Sequence, residues 1–279
     1  MSLGVKQGLT SVDISHSTFR DSWAFGVWIG PGGSMCPSPF ANTYKPNAAC
    51  TLVSGSTFIG NGLNAIFSVA RNNFIAFNWF SDNHRNATAS LAPGGQIDLD
   101  FDAENILVWN NVVVDGASSS GPPFTWADGI ELHGRDIWLR SNRIHNNGGQ
   151  GIYMEEAQDV LISDVNGFEG SYFTISRNNR RWGGGFTPCG PFPAVSIHAG
   201  PPSYRKTKNI TIQNIALING HQPAVKISKC GLSSAVLTEN VVVSHSCLSG
   251  NIGGVSTETG SYIGTPTQVN VQTSGCHGY

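Results

Sequence analysis

Carboxylates and imidazoles recur at fixed intervals in a chain otherwise poor in charge. Asp98 and Asp100, Glu131 and His133, and Glu155 stand two or four residues after Gln96, Gly129 and Gly151, each of which opens a short apolar alternation. Ala194 and Ala224 open two further copies, which carry His198 and Lys226. The step from Gly129-Ile-Glu-Leu-His133 to Gly151-Ile-Tyr-Met-Glu155 is 22 residues. Side chains alternate across a strand, so Ile130, Leu132, Ile152 and Met154 enter a core and the charged residues leave it together. Two carboxyls held close are the machinery of glycoside hydrolysis: one protonates the leaving oxygen and the other activates water or attacks. Crowding raises the proton affinity of one member and so supplies the acid. The candidate catalytic residues are therefore Asp98, Asp100, Glu131, His133, Glu155, His198 and Lys226. Diagonal pairs such as Asp100–Glu131 would span roughly 6.5–9.5 Å, the separation of inverting enzymes, with His133 tuning the pair.

Only a repeating architecture can bring such distant residues together. Eight segments with the alternation begin at Gly26, Ala65, Gln96, Gly129, Gly151, Ala194, Ala224 and Gly254. A second strand type has apolar residues at relative positions 0, 2 and 7 and often a small polar residue at 5, as in Ile106-Leu-Val108…Asn111-Val-Val113 and Ile137-Trp-Leu139…Asn142-Arg-Ile144. The offset between the two types is 14 residues from Val12 to Gly26, from Ile137 to Gly151 and from Ile210 to Ala224. Short period-2 strands with turn residues between them, repeating about every 22 residues, indicate a parallel β-solenoid whose coils share one core. Asn and Gly mark its bends. Coils stack at roughly 4.8 Å, so Asp100, His133, Glu155 and His198 should form a solvent-facing column beside Asp98, Glu131 and Lys226. Together with Asp102, the acids of this region number five of the 18 in the chain. Such like-charge crowding is costly and points to a functional cluster rather than a solvated face. The whole chain, residues 1–279, forms a single domain in this reading.

Composition narrows the partners. Charged residues make up 12% of the chain, about half the usual share of roughly 25%. A net charge of −2 gives no basis for binding nucleic acid or an anionic membrane, and no apolar run is long enough to span a bilayer. The N-terminal MSLGVKQG lacks the apolar region of a secretory signal. Six cysteines and the sequons at Asn86 and Asn209 nevertheless suit a secreted, monomeric protein whose leader is not in this sequence. The repeat brings together Cys36–Cys50, Cys189–Cys230 and Cys247–Cys276 as expected disulfides. Enlarged turns at 31–50, 82–95, 115–128, 170–193 and 199–209 would wall a groove around the charged column. Trp28, Phe67, Trp126, Tyr153 and Trp182 could stack on sugar rings, with Tyr153 exposed by its position. Arg180, Arg181, Arg205 and Lys206 could hold sugar carboxylates.

These features resemble the right-handed parallel β-helix proteins of the pectate-lyase-like superfamily, from about Val12 to about Cys276. The resemblance implies right-handedness and action on a polysaccharide. Thr125-Trp-Ala-Asp128-Gly129-Ile130 looks like the Asn-Thr-Asp-Gly-Ile stretch of polygalacturonases, and Val225-Lys226-Ile227 is similar to their Arg-Ile-Lys. Where that family has paired aspartates, this chain has Gly148-Gly149-Gln150-Gly151. Asp98, Asp100 and Glu131 resemble the Ca²⁺-binding acids of pectate lyases, which would make them metal ligands for β-elimination on a uronate, with Lys226 or a loop arginine as base. The lyase Trp-Ile-Asp-His signature and the epimerase Asp-Pro-His motif are both absent. Hydrolysis without a cofactor is preferred, because a net-acidic groove repels a polyuronate unless calcium intervenes. A Ca²⁺-dependent lyase is the alternative, and a non-catalytic carbohydrate-binding or adhesin-type solenoid is the third reading.

Overall fold

The computed structural model describes residues 3–6, 12–30, 51–85, 94–116, 127–163, 174–176, 193–218, 223–229, 232–248 and 254–274. Within them the chain is all β, and its strands form three sheets in which every pairing is parallel. Each coil contributes one strand to a back sheet, one to a short sheet and one to a front sheet, then returns one strand spacing along the axis. The coil that spans Glu104–Trp109, Val112–Val114 and Ala127–Leu132 shows the order, and Arg135–Arg140, Arg143–His145 and Ile152–Glu155 repeat it. This is the expected parallel solenoid. The front and back sheets have nine strands each and the short sheet seven.

Apolar residues of both strand types fill one continuous core. Ile106, Val108, Val113, Ile137, Leu139 and Ile144 are fully buried, as are Ile97, Leu99, Ile130, Leu132, Ile152 and Met154 of the front sheet. Vertical stacking extends to aromatic rings: Phe19, Phe58 and Phe80 lie nearly parallel, with centroids 5.0 and 4.8 Å apart.

The corners explain the abundance of asparagine. Between the back and short sheets, Asn78, Asn111 and Asn142 sit one above another inside the bend. Asn78 donates through its backbone N–H and through Nδ2 to Asn111 Oδ1, and Asn111 does the same to Asn142, each bond 3.0 Å long. The remaining Nδ2 hydrogens reach backbone carbonyls, from Asn111 to Ile75 and from Asn142 to Val108. An amide carries both donor and acceptor, so identical residues satisfy one another along the stack.

A second buried ladder lines the corner between the short and front sheets. Asn61 donates to Asn83 (2.7 Å), Asn83 to Gln96 (2.8 Å) and Gln96 to Asn147 (2.8 Å). Gly116 occupies the corner position of the intervening coil, and a Cβ there would lie 2.7 Å from Asn147 Oδ1. Gln96 fills that rung from the far side of the bend, where other coils carry Gly or Ala. At the start of the back-sheet strands Asn72, Asn105, Asp159, Asn209 and Asn240 adopt positive φ, a conformation that asparagine and aspartate tolerate better than most residues.

The expected disulfides all involve residues outside the described ones. Of the six cysteines only Cys247 is described, and it is buried.

Candidate active site

The front sheet delivers the anticipated register. Asp98 pairs with Glu131, Glu131 with Tyr153, Tyr153 with Ser196 and Ser196 with Lys226. In the neighbouring file Glu155 pairs with His198, and the Leu99–Leu132 and Leu132–Met154 pairings set Asp100, His133 and Glu155 on successive coils. Phe67, Asp98, Asp100, Phe101, Asp128, Glu131, His133, Tyr153, Glu155 and Tyr204 line one cleft of about 340 Å³. The cleft floor is recessed rather than open. Glu131 is only 6% and Tyr153 only 8% exposed, and Asp98, Asp128 and His133 are buried too. The expectation that the column faces solvent, with Tyr153 exposed, is corrected: stacked neighbours cover one another's flanks, and Phe101 and Tyr204 stand over them, Phe101 5.0 Å from the His133 ring.

Burial makes the charges interdependent. Asp98 and Glu131 are like-charged neighbours on adjacent strands with little water between them. Desolvation, followed by the Glu131 charge, raises the Asp98 pKa well above the usual carboxylate range. Asp128 is raised strongly by burial and then by Glu131, despite accepting the Gln150 N–H at 2.6 Å. For His133, burial alone would lower the pKa. The Glu131 hydrogen bond of 2.8 Å and the charges of Glu131, Asp98 and Asp100 outweigh it and push the value up to about 9. Burial and crowding thus favour the neutral form of Asp98 and Asp128, while His133, an imidazolium at neutral pH, sits 2.8 Å from Glu131 Oε1. Burial also raises Glu155, whose Oε2 accepts the Tyr153 hydroxyl at 3.0 Å.

Several polar atoms in this cleft are buried and have no hydrogen-bond partner among the described residues: Asp98 Oδ1, Glu131 Oε2 and His133 Nδ1. Asp98 is otherwise anchored through Oδ2, which accepts from Asn64 Nδ2 at 3.3 Å. Unmet hydrogen-bonding capacity of this kind is expensive in a folded protein and marks a place where a ligand completes the site.

Other expected site residues fall elsewhere. His198 is buried beneath the Tyr153 ring, 4.5 Å between centroids, and does not line the cleft. Burial, then Lys226 and His133, lowers its pKa to about 3, so it is a neutral packing partner. Lys226 lies two strands beyond Tyr153 and is likewise outside the cleft. Arg205 is a clip: its guanidinium donates to the Phe101 carbonyl (2.6 Å), the His133 carbonyl (3.1 Å) and Glu156 (3.3 Å). Lys206 pairs with Glu239 at 2.9 Å. Trp28 borders a separate hollow two coils before Asp98. Trp126, Arg180, Arg181 and Trp182 lie outside the described residues, as does most of the enlarged turns; 199–209 is wholly described and supplies Tyr204. Among the described residues no group of three or more His, Cys, Asp or Glu is set to hold a metal ion, and Glu131 commits Oε1 to His133.

Counting from the strand start missed Asp128, Asn64 and His84. Gly129 faces inward, since a Cβ there would meet the Gly151 carbonyl at 2.5 Å. Ile130 also faces inward, so alternation breaks at this corner and Asp128 swings out into the cleft. The Asp-Gly-Ile stretch was its sequence signal. The glycines of Gly148-Gly149-Gln150 are explained as well: a Cβ on Gly149 would come within 2.1 Å of Asp128 Oδ1, so glycine gives this carboxyl its seat. His84 and Asn64 converge on Gly94, where a Cβ would lie 3.0 Å from His84 Nε2, 2.9 Å from Asn64 Nδ2 and 3.6 Å from Glu131 Oε2. Burial lowers the His84 pKa to about 4, which keeps that ring neutral.

A parallel three-sheet solenoid with such a cleft is the architecture of the β-helix proteins. The family described as "Right handed beta helix region" matches residues 4–171 and 123–276, and the chain belongs to it. No curated protein matches the chain.

Proposed function

We propose that this protein is a secreted carbohydrate-active enzyme that hydrolyses a glycosidic bond in the front-sheet cleft. The observation that carries the reading is the pair of carboxyl oxygens on adjacent coils, Asp98 Oδ1 and Glu131 Oε2, that have no partner among the described residues. Burial pushes Asp98 toward its neutral form, and His133 is bonded to Glu131 Oε1. Asn64 occupies Asp98 Oδ2, which leaves the proton on Oδ1, facing the cleft. Asp98 delivers it to the glycosidic oxygen as the C–O bond breaks. Glu131, bonded to His133 through Oε1, attacks the anomeric carbon through Oε2, the role of a carboxyl stacked roughly 5 Å from the acid. Water then displaces Glu131 from that carbon and gives its proton back to Asp98. His133 acts through Glu131 and is a positioning residue. Tyr153, Phe101, Tyr204 and Phe67 supply ring surface around the reacting sugar.

β-helices also serve in polysaccharide lyases and in proteins without catalytic activity, so the test must separate three outcomes. A panel of neutral and acidic polysaccharides is incubated with wild type and Glu131→Gln, with and without EDTA, and followed by reducing ends and by ultraviolet absorbance of unsaturated products. Hydrolysis predicts new reducing ends without that absorbance, insensitivity to EDTA and loss of at least 100-fold in Glu131→Gln, the low end of the roughly 10²–10⁴-fold range of acid–base catalysis. Unsaturated products abolished by EDTA would replace this reading with elimination. Binding without turnover would replace it with a non-catalytic solenoid.

A further inference from the structure

We propose a second sugar-binding site at Trp28, a distal subsite for the same glycan that enters the cleft. The proposal rests on the glycan reading of the cleft and extends it along the solenoid axis. Trp28 stands in the same file as the cleft residues: it pairs with Phe67, Phe67 with Asp98, and Asp98 with Glu131. Three coil steps of roughly 4.8 Å place it about 14 Å from Glu131.

Two glycines seat its ring. Gly4, on the preceding strand, has its Cβ direction 3.9 Å from Trp28 Cε3, and a Cβ on Gly30 would come 2.8 Å from Cη2 and 2.9 Å from Cζ3. Glycine at position 30 lets the indole lie against the backbone, where a side chain would lift it away, and Gly4 stands at ordinary contact distance from the ring. Trp28 remains 37% exposed although the flanking Val27 and Ile29 are fully buried. Leu3, Gly4, Ala24, Phe25 and Trp28 enclose a hollow of about 390 Å³ around it.

The chemistry of the hollow selects its occupant. Among the described residues its lining is uncharged and presents mainly aromatic and apolar surface. The C–H face of a pyranose suits that surface, as apolar groups suit the face of an indole. Continuity with the cleft identifies the source of that pyranose. Phe25, which lines the hollow, packs 5.3 Å from Phe67, which lines the cleft, so a ring contact links the two. A saccharide lying along the axis would rest one ring on Trp28 while another reaches Asp98 and Glu131.

The test measures glycan retention independently of cleavage. Glu131→Gln protein is run by affinity electrophoresis through gels containing β-glucan, xylan, galactan or polygalacturonate, alone and combined with Trp28→Ala, Gly30→Ala or Trp79→Ala. Trp79 is 47% exposed on the short sheet and controls for the loss of any surface tryptophan. The expected result is retardation by at least one neutral polymer, weakened at least 10-fold by Trp28→Ala, weakened less by Gly30→Ala and unaffected by Trp79→Ala. Thermal unfolding confirms that each variant is folded. Retention that Trp28→Ala leaves intact, or that Trp79→Ala weakens equally, overturns the subsite, as does the absence of retention on every polymer. If Trp28-dependent retention occurs in a protein whose wild type cleaves nothing, the hydrolase reading fails and the subsite stands. If wild type cleaves a glycan but no retention depends on Trp28, the subsite fails and the hydrolase reading stands.

Discussion

Two buried polar stacks run through this solenoid, and they behave in opposite ways. At the corner between back and short sheets, Asn78, Asn111 and Asn142 bond to one another and to backbone carbonyls. On the front sheet Asp98 and Glu131 are stacked by the same coil spacing, yet each keeps an oxygen with no partner among the described residues and Asp98 is driven toward its neutral form. The difference is chemical. An amide is complementary to a copy of itself, whereas a carboxylate repels its copy unless one of the two takes a proton. Repetition therefore turns asparagine into structure and turns aspartate and glutamate into a strained, reactive pair.

The sharpest way to break this contrast is Asp98→Asn. It should lower turnover by roughly 10²–10⁴-fold, the usual contribution of an acid–base group, without destabilising the fold. The sign follows from linkage. A carboxyl whose folded pKa lies above its unfolded value binds more protons in the native state, so stability falls as pH rises through that window. Asparagine cannot ionise, so the variant should lose less stability than wild type between acidic and neutral pH. Thermal melts across that range check it, and a variant markedly less stable at every pH would count against the strained-pair view.

The ladder should show the reverse. Asn111→Ala strands the Asn78 backbone N–H and Nδ2 and the Ile75 carbonyl. At about 1–3 kcal/mol for each buried group left unsatisfied, the loss should be on the order of 3 kcal/mol, with little change in activity at a permissive temperature. Asn209→Ala, in the exposed outer ladder where Asn209 donates to Asp159 at 2.8 Å, should cost about 1 kcal/mol, mostly from alanine in the left-handed backbone conformation. Denaturant titration of both variants measures the gap, and equal losses would show that burial is not what makes the amide stack matter.

Acid sensitivity sharpens the comparison further. His84 and His198 have folded pKa values of about 4 and about 3, below the ordinary 6.5. Between those values and 6.5 the unfolded chain binds the extra protons, so their contribution to stability is lost as pH falls. His133 is raised to about 9, so its contribution is complete below 6.5 and disappears as pH rises through 9. His84→Gln should flatten the acid limb of the stability profile by up to about 3 kcal/mol, since each pKa unit is worth about 1.4 kcal/mol. An unchanged acid limb would show that this imidazole is not held neutral.

The fold was legible because period and offset survive in the sequence: positions such as Ile106, Asn111, Ile130 and Ile152 each hold a fixed place in the coil. The register that joins Asp98 to Glu131 was legible for the same reason. Burial was not, because alternation tells which side of a strand a residue leaves but not what stands over it. Phe101 and Tyr204 come from turns, where periodicity ends. Asp128 was lost to a corner at which two successive residues, Gly129 and Ile130, face inward. Arg205 showed a charge suited to sugar acids, whereas its geometry ties it to backbone carbonyls of the chain itself.

Gln96 makes one turn of this spiral impossible to exchange for its neighbours. In a spring of equivalent turns, a segment could be duplicated or cut out and the seam would close wherever amide meets amide. Here the socket vacated at Gly116 is filled from across the bend by a residue two positions from Asp98. A rearrangement that restored asparagine at 116 while keeping Gln96 would force two amides into one seat and tilt the strand that carries the acid. A cut or duplication at this turn would therefore disturb the strand that holds Asp98, whereas one at a turn with its own asparagine would not.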